Sequence, residues 1–207
     1  MLIERIKYEK LFSTPIFRFR FPEHAELNAA LMEAGQQFQT ETDGVTKSNR
    51  GGWHSPGNLF EREEPCFRVL REIANQAVMA ATTGIGSKAD LGALRLKLFA
   101  WMNSNPGGAF NAPHTHPGAH WSGGYYVSQP KVEVGNSGMI EFLSPRTDLA
   151  DWRILDAPPF KLKKKFRPQP GDIVVFPSYL IHWVYPNDTD QNRVTVAFNG
   201  TFKKARK

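Results

Sequence analysis

The chain has 207 residues, of which 41% are hydrophobic and 12% aromatic. This composition excludes a disordered protein and favours a globular, turn-rich one, and the length fits a single domain over residues 1–207. One cysteine excludes an internal disulfide, while the charged N-terminus "MLIERIKYEKLF" and the lack of a long apolar run predict a cytoplasmic protein without a membrane span.

The formal net charge is +6, and basic residues cluster at Lys161–Arg167 and Lys203–Lys207. Such runs can follow a phosphate backbone, but lysines are also typical of solvated strand edges and chain ends. We favour the second interpretation. Nucleic acid is therefore not an expected partner.

The first part of the chain predicts one strand and then two amphipathic helices. In "FSTPIFRFRF", Phe17, Phe19 and Phe21 alternate with other residues, which is the period of a strand. The segments "EHAELNAALMEAGQQFQ" and "EEPCFRVLREIANQAVMAA" place apolar residues on one side of a helix, and the loop "GVTKSNRGGWHSPG" separates them.

From Leu94 onward the hydrophobic period changes to two, which indicates strands. Glycine, proline, asparagine and aspartate turns separate the further candidates "WSGGYYV", "GMIEFLS", "FKLKKKF", "GDIVVF", "LIHWVY" and "NRVTVAFNGTF". The sequence therefore predicts a mainly β fold, a small barrel or sandwich backed by the two N-terminal helices.

The last strand candidate has one apolar face and one polar face. The polar face carries Arg193, Thr195, Ala197 and Asn199. Because an unpaired buried polar group costs on the order of a few kcal/mol, we expect this face to line a binding site rather than an apolar core. Tyr126 is expected to approach it from another strand.

Histidines form the second pattern. His114 and His116 lie two residues apart, so in an extended strand both rings project to the same side and can bind one cation. His182, the last histidine of the sequence, is the candidate for a third ligand. The alternative is that these are ordinary barrel histidines paired with carboxylates or backbone groups.

Arg193 follows His182 by a turn and the start of the next strand, so the guanidinium can lie deep in a barrel while the imidazole lies near its mouth. A planar guanidinium binds a carboxylate through two parallel hydrogen bonds. Tyr126 and Thr195 are candidates to complete the shell of that carboxylate.

The chain resembles the iron(II)/2-oxoglutarate-dependent dioxygenases of the prolyl-hydroxylase-like type. The resemblance rests on H-x-H, the distal histidine, the Arg-x-Thr strand and the segment "SGGYYV" between them. The chain is more closely similar to a family of small bacterial and phage oxygenases that share H-x-H-P, S-G-x-Y-Y and F-P-S-x-x-x-H patterns. Each motif alone is weak, and their order and spacing carry the likeness.

The resemblance implies a double-stranded β-helix, a jelly-roll or cupin-like barrel, that holds Fe(II) and 2-oxoglutarate. By position, His114 and His182 match the metal histidines and Arg193 the anchor of the far carboxylate. Thr195, Tyr126 and, more weakly, Asn103 match co-substrate contacts. The implied reaction uses O2 to decarboxylate 2-oxoglutarate and hydroxylate a prime substrate, with release of succinate and CO2.

The sequence departs from the broad superfamily at one ligand. The usual pattern is H-x-Asp, but this chain has His116 in place of the aspartate, so the metal would have three histidine ligands and one neutralising charge fewer. His120 or Glu141 could instead supply a ligand. Glu141 is expected to face away from Ile140 and Phe142.

Two other functions fit parts of the pattern. "GGAFNAPHTH" and "GDIVVFPSYLIH" are close to cupin motifs, and with His120 as a fourth ligand they would describe a metal-dependent dioxygenase or isomerase that does not use 2-oxoglutarate. A non-catalytic barrel that binds a small carboxylate or sugar is the other alternative. The spacing of Arg193 favours the oxygenase. The prime substrate stays open, and a homodimer is possible.

Overall fold

The alternating segments of the second half form strands, and the two helical segments precede most of them. The computed structural model describes residues 12–146, 152–155 and 157–205. The strands are β1 (Phe17–Arg20), β2 (Asn49–Arg50), β3 (Trp53–His54), β4 (Leu94–Asn105), β5 (Phe110–His114), β6 (Trp121–Ser128), β7 (Ile140–Leu143), β8 (Lys163–Phe166), β9 (Asp172–Pro177), β10 (His182–Val184) and β11 (Arg193–Lys204). The α-helices are α1 (His24–Glu41), α2 (Pro65–Gly84) and the short α3 (Trp152–Leu155).

The strands form two antiparallel sheets. The larger sheet has the order β1-β9-β6-β11-β4-β3, and the smaller has the order β2-β5-β10-β7-β8. Neighbours in these sheets are mostly distant in sequence, as in a jelly roll, where the chain crosses repeatedly between two sheets. The predicted barrel of antiparallel strands is confirmed.

The two long helices cover the outer face of the larger sheet. The even-numbered residues of β11, namely Val194, Val196 and Phe198, are buried in the same apolar cluster as Leu31 of α1 and Leu70 of α2. The predicted orientation of this strand is therefore correct, because its apolar face packs on the helices and its odd-numbered face turns to the second sheet. The barrel interior lies between the sheets.

The basic run near residue 163 forms β8, which is the last strand of the smaller sheet. Lys163, Lys164 and Lys165 are exposed there, as expected of a solvated sheet edge. Among the described residues no helix is long and apolar enough to cross a membrane.

Strands β4 and β11 are longer than their neighbours and pass the mouth of the barrel together. Their pairing runs from Arg193 opposite Asn105 to Lys204 opposite Leu94, whereas β6 leaves β11 at Gly200. We call the segment formed by residues 94–99 and 199–204 the ribbon. It projects beyond the barrel on the side where the histidines lie.

Candidate metal and 2-oxoglutarate site

Three histidines meet at the mouth of the barrel. His182 at the start of β10 lies directly opposite His114 at the end of β5 in the strand register, and His116 follows two residues later. The ring centroids are 4.3 Å apart for His114 and His182, 4.8 Å for His114 and His116, and 5.2 Å for His116 and His182. One ring nitrogen from each lies within 4.8 Å of the others, so the three residues could hold one metal ion.

Backbone carbonyls orient two of these rings. His114 Nδ1 lies 2.7 Å from the Ala112 carbonyl oxygen, and His182 Nδ1 lies 2.9 Å from that of Leu180. A carbonyl can only accept, so Nδ1 carries the proton and Nε2 keeps a free lone pair. Such second contacts fix the tautomer and the ring direction that a metal needs.

Burial keeps the three imidazoles neutral. It lowers the pKa of His116 to about 4 and that of His182 to about 3, with a smaller contribution in each case from the neighbouring histidines. Burial also lowers the pKa of His114. At neutral pH all three rings are therefore in the deprotonated form that binds metals.

At the other end of the cavity lies Arg193, which is 2% exposed. Its Nε donates to Gln129 Oε1 at 3.0 Å, and among the described residues it forms no ion pair. Removing a guanidinium from water is unfavourable when no carboxylate compensates for the lost hydration. Burial accordingly lowers the pKa of Arg193. The bond to Gln129 uses only Nε, and Tyr126 is the other polar side chain that interacts with the guanidinium.

Tyr126 and Thr195 lie beside this guanidinium. The Arg193 Cζ atom is 5.3 Å from the centre of the Tyr126 ring, and Thr195 pairs with Tyr126 across β6 and β11. Burial raises the pKa of Tyr126 to about 12, so the phenol stays protonated and can donate. Arg193, Tyr126 and Thr195 line one cavity of about 60 Å³ with the three histidines.

Two further observations indicate that this cavity receives a polar ligand. The Oδ1 atom of Asn103, which lines the cavity, is buried and has no hydrogen-bond partner among the described residues. At Gly124 a Cβ atom would have no heavy atom nearer than 3.9 Å, so the glycine leaves open space next to Tyr126. An orphaned amide oxygen and unfilled space are typical of a site shaped for a ligand.

The other candidate ligands lie elsewhere. His120 is exposed, and its Nδ1 accepts a hydrogen bond from the Phe202 amide at 3.2 Å, outside the three-histidine cluster. Glu141 faces away from the barrel interior, as predicted, and accepts hydrogen bonds from Trp183 Nε1 and the Tyr185 hydroxyl. Neither residue joins the cluster, so the four-histidine cupin arrangement has no support among the described residues.

Comparisons with known proteins agree with this geometry. Residues 99–199 match the model of a family described as "Putative 2OG-Fe(II) oxygenase". A search of curated protein sequences finds no significant match. The matched segment spans 101 of the 207 residues and contains His114, His116, His182 and Arg193. This match agrees with the resemblance stated from the motifs, which implies Fe(II) and 2-oxoglutarate as cofactors.

Solved structures with the same fold include a Pseudomonas putida prolyl-4-hydroxylase, at 17% identity and a TM-score of 0.62, covering 94% of this chain and 95% of that one. A prolyl hydroxylase from Trichoplax adhaerens matches at 13% identity and a TM-score of 0.62, covering 90% and 83%. HygX from Streptomyces hygroscopicus, solved with nickel, 2-oxoglutarate and hygromycin B, matches at 13% identity and 0.59, covering 93% and 84%. The predicted double-stranded β-helix is confirmed.

Sequence reasoning missed two residues of the site. Gln129, which holds Arg193, follows β6 in the unremarkable string "YYVSQP", where no spacing or composition marks it. Ser48, whose Oγ lies 3.4 Å from His114 Nε2, belongs to the loop between α1 and β2. Both come from segments without periodicity, so only the folded chain brings them to the cavity.

Proposed function

We propose that His114, His116 and His182 bind Fe(II) and that Arg193 binds the far carboxylate of 2-oxoglutarate, so that the protein hydroxylates a prime substrate and releases succinate and CO2. The observation that carries this proposal is the buried Arg193, which faces the same cavity as the three histidines and has no carboxylate partner among the described residues. A dianionic co-substrate supplies the missing charge.

The donor set fits a divalent first-row metal. Neutral imidazoles bind Fe, Co, Ni and Zn well, and three ligands leave open positions for a chelating keto acid and O2. Bound Fe(II) supplies the activation of O2 by which 2-oxoglutarate is oxidised and the substrate hydroxylated. With His116 in place of a carboxylate, the protein contributes no negative charge to the metal.

The chain itself orients and shields the co-substrate. The terminal nitrogens of Arg193 can donate two parallel hydrogen bonds to the far carboxylate, while the hydroxyls of Tyr126 and Thr195 donate to its remaining lone pairs. Asn103, whose Oδ1 has no partner among the described residues, can turn its amide toward the chelating end. The apolar side chains of Ile140 and Phe176 line the same cavity and limit the access of water.

Anaerobic titration with 2-oxoglutarate tests this proposal. We expect the iron-loaded protein to develop the weak metal-to-ligand charge-transfer absorption that follows keto-acid chelation and, once air is admitted, to release succinate. If the wild-type protein gives neither the absorption band nor calorimetric binding of 2-oxoglutarate, a non-catalytic barrel for another small ligand becomes the better description.

A further inference from the structure

The ribbon beyond the barrel mouth has a face that continues the wall of the cavity. Odd-numbered residues of β4 point into the barrel, where Trp101 and Asn103 line the cavity. Alternation along the strand therefore places Arg95, Lys97 and Phe99 on the same face outside the mouth. Phe99 is 43% exposed, and its ring lies 6.2 Å from that of Trp101, which in turn contacts His116.

This face is cationic. Lys203 on β11 has the same parity as the cavity residues Arg193 and Thr195, so it joins Arg95 and Lys97. All three cations are exposed, and none forms an ion pair with a described residue. Asn199 and Thr201 are the other β11 residues of this face, so the ribbon carries no acidic side chain there. The face favours an anionic partner.

The outer edge of β4 is open along the ribbon. The Ser55 amide donates to the Met102 carbonyl, the Met102 amide donates to Ser55 Oγ, and the Ala100 amide donates to Asn58 Oδ1. The polar backbone groups of even-numbered β4 residues therefore point away from β11. By the same alternation the N–H and C=O groups of Leu96 and Leu98 point outward. Among the described residues none accepts from or donates to these groups. They face a cavity of about 210 Å³ between β4, α2 and the turn Leu59–Glu61. Its lining includes the acidic Glu61 and Glu72 as well as the basic Arg71, Arg95 and Lys97.

We propose that an extended, acidic peptide segment of a substrate protein pairs with this edge of β4, with alternate acidic side chains on the cationic face. The spacing of Leu96 and Leu98 matches a strand added in register, and every second side chain of such a strand lies beside Arg95, Lys97 or Phe99. Phe99 and Trp101 continue the cationic face toward His116. The inference rests on the proposed function only in naming the bound protein as a substrate.

The experiment uses labelled nonapeptides and the full-length protein loaded with Mn(II) and 2-oxoglutarate without oxygen. One peptide alternates Glu and Thr, a second has the same composition with the glutamates in one block, and a third alternates Lys and Thr. We expect fluorescence anisotropy to show binding of the alternating Glu peptide, binding of the block peptide weaker by roughly fivefold, and no binding of the Lys peptide.

Variants distinguish the contribution of the backbone edge of β4 to peptide binding from that of the positive charges. Lys97→Glu combined with Lys203→Glu should weaken the alternating Glu peptide by roughly tenfold or more, whereas Lys131→Glu, an exposed lysine at the other end of β6, should not. Leu98→Pro removes one outward N–H without touching a bond to β11 and should also weaken it, while Leu98→Ala should not. The thermal unfolding midpoint of each variant checks the fold.

Three outcomes would overturn the proposal. These are equal binding of the alternating and block peptides, full binding by Leu98→Pro, and tighter binding of a single-stranded RNA oligonucleotide that depends on Lys97 but not on Leu98. In each case 2-oxoglutarate binding to the same samples is measured by calorimetry. A protein that binds 2-oxoglutarate but no peptide refutes the docking edge alone, and one that binds peptide but no 2-oxoglutarate refutes the proposed function alone.

Discussion

The two ends of the cavity differ in how they are charged. At the mouth, three imidazoles are held neutral by burial, and backbone carbonyls orient two of them. At the deep end, Arg193 is charged and buried, and its partners among the described residues are the neutral side chains of Gln129 and Tyr126. One end offers lone pairs without charge and the other offers charge without a counterion. A ligand that fills this cavity would therefore have to bring the negative charge itself.

The mouth should respond most strongly to substitution. His182→Ala removes a proposed ligand that is 5% exposed and directly opposite His114, so we expect Co(II) or Fe(II) affinity to fall by roughly a hundredfold. Calorimetry under anaerobic conditions measures it. His120→Ala is the matched control, because that ring is exposed and outside the cluster, and it should bind metal as the wild type does. Unchanged affinity in His182→Ala would refute the metal assignment.

At the deep end, Arg193→Met should separate the two ligands. Loss of one partner of a buried charge-assisted pair costs roughly 2 to 5 kcal/mol, so 2-oxoglutarate affinity should fall at least tenfold while metal affinity hardly changes. Anaerobic titration of the metal-loaded variant gives both constants. A parallel loss of metal affinity would mean that the two ends are not independent.

Gln129 offers a finer test of the deep end. Gln129→Glu has nearly the same shape but places a carboxylate on Arg193 Nε, so it should neutralise the guanidinium and weaken 2-oxoglutarate binding by roughly fivefold or more. Gln129→Met removes the hydrogen bond without adding charge and should cost less. If the glutamate variant bound 2-oxoglutarate as tightly as the wild type, the free charge of Arg193 would not be what attracts the co-substrate.

The neutral mouth also predicts how stability depends on pH. An unfolded histidine takes up a proton below about pH 6.5, whereas His116 and His182 in the folded protein do so only near about 4 and about 3. The unfolded state therefore binds more protons, and the free energy of unfolding of the metal-free protein should fall as the pH drops from about 6.5 toward about 4. Urea denaturation measures it. A His182→Leu variant should show a flatter dependence, and an unchanged slope would contradict this explanation.

Much of this site could be predicted from the sequence, because strand alternation fixes which residues share a face. The parity of "NRVTVAFN" assigns Arg193 and Thr195 to the interior, and the H-x-H spacing brings His114 and His116 together. His182 was also a candidate from the sequence, but its contact with His114 depends on β10 pairing with β5. His116 lies beyond the end of β5, so the strand explains the direction of its ring only in part.

Gln129, the orphaned Asn103 and the open edge of β4 depend on tertiary packing. No sequence pattern marks Gln129, a glutamine that follows a strand. The edge of β4 is open because the neighbouring strand β3 ends after two residues. Three expectations stay predictions: that the chain forms one domain, that nucleic acid is not a partner, and that the protein can form a homodimer.

A crystal structure with Mn(II) and 2-oxoglutarate, grown without oxygen, tests the central claim most directly. We predict one metal ion bonded to the Nε2 atoms of His114, His116 and His182, with 2-oxoglutarate chelating it and the far carboxylate paired with the terminal nitrogens of Arg193. A metal bound with a carboxylate side chain in place of His116, or a co-substrate whose far carboxylate does not reach Arg193, would contradict the account.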